Sequence, residues 1–231
     1  MMGYDLGYMA IIGLTSIVGM IISGRLKSKF NYYTQMRLRK GRSGAEIAHA
    51  MLKHYGIHNV EIVEGRGFLS DHYNPQAKRI SLSPEVYHGK HVSAAAVAAH
   101  ECGHAVQHAT AYNFLQMRSA IVPIVQLSAM TQQYLLIFAF AALNTMPQIM
   151  LIAIAAFGVT ALFSFITLPV EFDASKRALA WLEETDTLST QEYVAAKDAL
   201  WWAAMTYVAA ALSALVMLLY LIMRYRGANN R

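Results

Sequence analysis

Residues 147–168 read PQIMLIAIAAFGVTALFSFITL, a run without a single charged side chain that ends against Pro169-Val170-Glu171. About 20 apolar residues wound as a helix cross the hydrocarbon core of a bilayer. This run is apolar on every side rather than striped, so it does not read as the surface helix of a soluble domain. Working back across the short turn Asn144-Thr145-Met146, residues 120–143 repeat the pattern, and residues 3–23 and 203–223 do so again. These four stretches are expected to be transmembrane helices. Hydrophobic residues make up 56% of the chain and charged residues 14%, with mean hydropathy +0.33. Soluble domains carry about 25% charged residues, which excludes an ordinary soluble enzyme.

Residues 1–9 hold no Lys or Arg, so the first span lacks the cationic start of a cleavable signal peptide. Its basic residues follow it: Arg25, Lys27, Lys29, Arg37, Arg39, Lys40 and Arg42. By the positive-inside rule this flank is cytoplasmic and the N-terminus outside. Beside a span, such a cluster orients the helix and meets lipid headgroups, so no nucleic-acid partner is inferred from it. Four crossings then put the C-terminal Arg224, Arg226 and Arg231 outside, against the same rule; the larger cluster decides. One cysteine, Cys102, excludes an internal disulfide.

Two polar blocks remain, 25–118 and 169–202, read as the two parts of one small α+β domain. Ser43 and Glu46 form a capping box for a helix carrying Ile47, Met51 and Tyr55 on one face, ended by Gly56. Asn59 to Glu64 reads as a strand. Two further β-prone runs around Asn74-Pro75 predict a hairpin. Pro84 suits the first position of a short helix reaching Tyr87. Ser93 is expected to cap a helix from Ala94 to His108. In the second block a helix from Glu171 to Glu184 precedes a capping box of Ser189 and Glu192, whose helix runs into the last span.

The Ala94–His108 helix contains His100-Glu101-Cys102-Gly103-His104. Histidines four apart share a helix face and can meet one cation, with Glu101 able to reach a water upon it: the H-E-x-x-H pattern of zinc peptidases. Catalytic zinc takes a third protein ligand. His108 stands roughly 12 Å along the axis from His100 at ~1.5 Å per residue, too far to share an ion. Thr110 occupies the place where a metzincin needs histidine. Glu171 is the better candidate, with Asp173 as the fallback. Two crossings separate Glu171 from the histidines, so it emerges on their side of the membrane. Zinc, His100, His104 and Glu171 as ligands, and Glu101 as general base would together hydrolyse a peptide bond. Cys102 points elsewhere and reads as a packed small residue.

Several runs carry a family resemblance: Ser70-Asp71-His72-Tyr73-Asn74-Pro75, Leu82 to Tyr87, Val97 to Gln107, Thr167 to Ser175 and Ala203 to Ala209. Together they resemble the YugP-type neutral zinc metallopeptidases of bacteria, over nearly the whole chain. The resemblance implies a membrane zinc endopeptidase, expected in the bacterial plasma membrane, and the basic flank puts its catalytic domain on the cytoplasmic side. It carries over His100, His104 and Glu171 as ligands and Glu101 as base. It implies a peptide or protein substrate, membrane proteins included. The arrangement is also similar to the heat-shock-type membrane zinc proteases, where an Asp four residues after the ligand Glu can orient a ligand histidine. Here that position is Ser175, so either Ser175, Asp173 or another residue makes the contact, or the first histidine is held less tightly.

His72, Tyr73, Arg177 and Tyr207 are available as oxyanion donors, and none is singled out. Arg177 reads as a surface or headgroup contact. Gln126, Gln132 and Gln133 interrupt the second span and are expected to bond across helices. The expected architecture is therefore a mainly α membrane protein, four transmembrane helices with a small gluzincin-type zincin-like domain. A non-catalytic metal-binding membrane scaffold is the competing reading, which leaves Glu101 unexplained.

Overall fold

The computed structural model describes residues 5–229, so residues 3 and 4 of the expected first span, and Arg231, lie outside the described residues. Seven helices and three strands follow one another as α1 (Leu6–Thr34), α2 (Gly44–His54), β1 (Glu61–Glu64), β2 (His72–Asn74), β3 (Arg79–Leu82), α3 (Pro84–His88), α4 (Val92–Ala109), α5 (Asn113–Ala141), α6 (Gln148–Glu184) and α7 (Thr190–Asn229). Helices α1, α5, α6 and α7 are each long and apolar enough to cross a membrane. The chain divides into two compact units.

The first unit comprises the chain up to Ile22, Met117–Leu168 and the chain from Thr206. Leu14, Leu127, Met130 and Phe138 are exposed on it. Large apolar side chains on an outer surface are costly in water and at home in lipid, where a helix satisfies its own main-chain groups. A narrow interior forms from Leu136, Ala139, Met150, Ala153, Met217 and Leu221. Gln132 and Gln133 line a cavity of about 400 Å³ with Tyr8, Phe140 and Phe157, while Gln126 is exposed. At one end Asp5 accepts hydrogen bonds from Tyr220 Oη and Tyr8 N, and lies 2.8 Å from Arg224. One of the three basic residues that contradicted the positive-inside rule therefore has a local acidic partner.

The second unit comprises Ser23–Gln116 and Pro169–Met205. Its sheet has the order β1-β3-β2, with β1 parallel to β3 and β2 antiparallel. The predicted hairpin forms, Asn74 Oδ1 accepting from Gln76 N and Ala77 N across the turn. β2 is an edge strand, and Tyr73 reaches from it to His108 of α4. Ile47, Met51, Ile80, Leu82, Val86 and Trp181 fill the core. The alanines of α4, fully buried at 94, 95, 98 and 99, permit close approach of neighbouring backbones. Cys102 is packed there, its thiol against the carbonyl of Ala48.

Both capping boxes form. Ser43 N donates to Glu46 and Glu46 N to Ser43 Oγ; Ser189 and Glu192 do the same. Glu192 also accepts from Arg39 N, which fastens the loop after α1 to the start of α7. Gly56 ends α2 with φ +66°, a backbone that a side chain would strain.

Three expectations need correction. Ser93 does not cap α4: the helix begins at Val92, His91 Nδ1 accepts from Ala94 N, and Ser93 Oγ donates to the carbonyl of Phe30 instead. Tyr55 is exposed rather than buried with Ile47 and Met51. No separate helix starts at Glu171, because α6 runs on through Pro169. Proline in a helix interior removes one main-chain bond, and the rest of this long apolar helix tolerates that loss.

Candidate metal centre

α4 presents His100 and His104 on one face, their ring centroids 4.8 Å apart. α6 brings Glu171 to them. Its Oε2 lies 3.3 Å from His100 Nε2 and 3.6 Å from His104 Nε2. One donor atom from each of the three residues lies within 4.8 Å of the others. The carboxylate is 2% exposed, so it meets the two imidazoles away from water.

This closeness depends on Gly103 and on a set of supporting bonds. A Cβ at Gly103 would strike the carbonyl of Ala174, so only glycine lets α4 lie against α6 here. His100 Nδ1 is 3.0 Å from Ser175 Oγ, and His104 Nδ1 is 3.0 Å from Gln107 Oε1. Each histidine is thus engaged through Nδ1 and turns Nε2 toward Glu171. Gln107 is wholly buried and also donates from Nε2 to the Val170 carbonyl and to Asp173 Oδ2, both at 2.8 Å. Asp173 accepts in addition from Arg177 Nε at 2.6 Å, and Arg177 lies over the ring of Tyr112.

Electrostatics follow the geometry. Burial alone would raise the Glu171 carboxyl, but the bonds from His100 and His104 outweigh it and hold the group well below the usual carboxylate range. Burial opposes charge on His104, yet Glu171 wins and its proton affinity rises. Glu101, also buried, goes the other way: loss of water raises it despite the two neighbouring imidazoles, and Glu171 and Asp71 push in the same direction. Asp71 is raised by burial as well, while accepting from Ser83 N at 2.7 Å and from Ser83 Oγ.

These residues fit a zinc ion. Zinc bonds of ~2.0–2.1 Å in a tetrahedron place neighbouring donors roughly 3.3 Å apart. The observed separations of 3.3 and 3.6 Å match that edge. Two imidazole nitrogens and a carboxylate are a donor set suited to this borderline metal.

The structure places the other candidates elsewhere. His108 bonds Tyr73 Oη at 2.7 Å and lies outside the cluster. Asp173 is taken up by Gln107 and Arg177, so the fallback ligand is not in the cluster either. Arg177 joins the support behind His104 through Asp173 and Gln107. His72 bonds the Ser70 carbonyl at the surface. Tyr207 belongs to the apolar unit. Of the candidates for the contact behind a histidine, Ser175 makes the one to His100. The one to His104 comes from Gln107, which sequence reasoning missed; its only local signal was a position three residues after His104.

A family described as "Putative neutral zinc metallopeptidase" matches residues 8–226. The chain is 37% identical over 206 residues to a protein of Bacillus subtilis (strain 168) named "Putative membrane protease YugP", covering 89% of this chain and 91% of that one. No solved structure matches. Matched along almost its full length, the chain belongs to the neutral zinc metallopeptidase family.

Proposed function

We propose that this protein is a membrane-bound zinc endopeptidase in which His100, His104 and Glu171 hold the metal and Glu101 is the general base. The observation that carries the reading is the convergence of those three donors, with Glu101 on the same turn of α4. Zinc bound there would polarise a peptide carbonyl and acidify a coordinated water.

The chain's own groups supply the rest. Glu101 is buried and its proton affinity is raised, which suits a carboxylate that takes a proton and passes it to a leaving amine. The close contact of Gly103 with Ala174 and the bonds at both Nδ1 atoms preorganise the donors. The edge strand β2, tied to α4 through Tyr73 and His108, offers a border where an extended peptide can add as a further strand. We take the substrate to be a peptide or protein, membrane proteins included, cut on the cytoplasmic side where the basic flank of α1 lies.

The test is cleavage of casein and of a membrane-protein substrate by purified protein, with zinc content measured alongside. Wild type should cleave, Glu101→Gln should keep zinc and lose activity, and Glu171→Ala should lose both. Activity that survives both substitutions would overturn the proposal.

A further inference from the structure

Gln107 accepts from one ligand-bearing helix and donates to the other. Its Nε2 faces two acceptors, the Val170 carbonyl and Asp173 Oδ2, each at 2.8 Å. A main-chain carbonyl cannot donate, and neither can an ionised carboxylate. Arg177 Nε donates to that same Asp173 oxygen at 2.6 Å, so this oxygen acts as an acceptor on both sides. Turning the amide over would set its oxygen against both acceptors, in a position with no access to water. The orientation of an amide is ordinarily decided by such a network, and here two acceptors decide it together.

The rest follows from polarity. With Nε2 committed to α6, Oε1 must face His104 Nδ1 at 3.0 Å, and an amide oxygen only accepts. His104 is therefore required to carry a proton on Nδ1. In the neutral ring, the form that ligates a metal, that leaves the lone pair on Nε2, the atom on the side of the proposed ion.

We propose that Gln107 is a positioning residue that selects the Nδ1–H tautomer of His104 and at the same time fixes Val170, the neighbour of Glu171, against α4. Asp173 accepts from both Arg177 and Gln107, so the bond chain runs from His104 through Gln107 and ends on its carboxylate. One amide thus aligns a nitrogen donor and an oxygen donor on separate helices. This inference rests on the metal reading above and adds to it the control of ligand form.

Two measurements on the full-length protein in detergent test it. The first is zinc affinity by chelator competition, comparing wild type with Gln107→Met, which keeps the bulk and removes the bonds. Removal of a contact behind a ligand histidine typically weakens metal binding by roughly 10–100-fold, and a loss in that range is expected. Affinity within twofold of wild type would overturn the inference while leaving the metal reading intact. A wild type that binds no zinc, like Glu171→Ala, would overturn the metal reading and this inference with it. The second is ¹⁵N NMR of the zinc-loaded wild type with labelled histidine, which needs no variant to fold. A protonated Nδ1 on His104 is expected; zinc on Nδ1 would overturn the inference. In Gln107→Met, the same signals should report a mixture of the two ring forms.

Discussion

A Cβ on Gly103 would lie 2.5 Å from the carbonyl oxygen of Ala174, so the second variable position of the H-E-x-x-H turn is set by the helix that carries Glu171. The obstacle is backbone and cannot swing aside. Gly103→Ala must therefore push α4 from α6, and overpacking of this kind costs about 1–3 kcal/mol. A displacement near 1 Å at reacting groups can cost ~100-fold in rate. The expected result is a lower unfolding temperature together with a loss of zinc, read by thermal melting and metal analysis. Full zinc retention by this variant would contradict the packing argument.

Glu101→Gln separates chemistry from binding. Glu101 lies outside the donor cluster, so zinc should stay. General bases contribute ~10²–10⁴-fold, and cleavage is expected to fall by that much with substrate KM little changed. A kinetic comparison at equal zinc content checks it.

Removing the metal should silence the protein reversibly. Chelation leaves Glu171 between two imidazoles whose Nε2 atoms can take up the protons that metal binding releases and pair with its carboxylate, so the cluster has internal partners while empty. Activity should return on addition of zinc, without a refolding step visible by circular dichroism. Irreversible unfolding on chelation would show that the ion holds the domain together.

Ser175→Ala frees His100 Nδ1 and leaves Gln107 in place. Zinc affinity should fall by roughly tenfold, the low end for such contacts. Chelator competition measures it.

Asp198 predicts an acid-sensitive joint in the second unit. Burial would raise its carboxyl, but Lys29 at 2.8 Å and the Tyr33 hydroxyl at 2.7 Å hold it below the usual range. A depressed carboxyl stabilises the fold above its unfolded value, ~3.9, and that contribution fades as pH falls through the lower folded value. Asp198→Asn should therefore lower the melting temperature at neutral pH and narrow its gap to wild type in strong acid. Thermal scans across that range read it out.

The four long apolar helices were legible because length and the lack of charge mark them, and both capping boxes because their partners are three residues apart. What propensity favours locally, tertiary contacts overrode. Ser93 is the better cap by type, yet Phe30 claims its hydroxyl and His91 does the capping. Pro169 signals a break, yet α6 passes through it. The parallel pairing of β1 with β3 joins residues too distant for any local signal. The histidines could be read as neighbours from their spacing, and Ser175 as one option behind them. Gln107 could not, because its role exists only where α4 meets α6. Glycine at 103 has no meaning until Ala174 is set against it.

Asp5, Tyr220 and Arg224 bear on the order in which the protein is made. The carboxylate precedes the first long apolar helix, and its cation follows most of the last. During synthesis Asp5 can bond at first only to the nearby Tyr8 N, because Tyr220 and Arg224 lie more than two hundred residues further along the chain. A chain that stops short of Tyr220 would keep its earlier helices and lack this clasp.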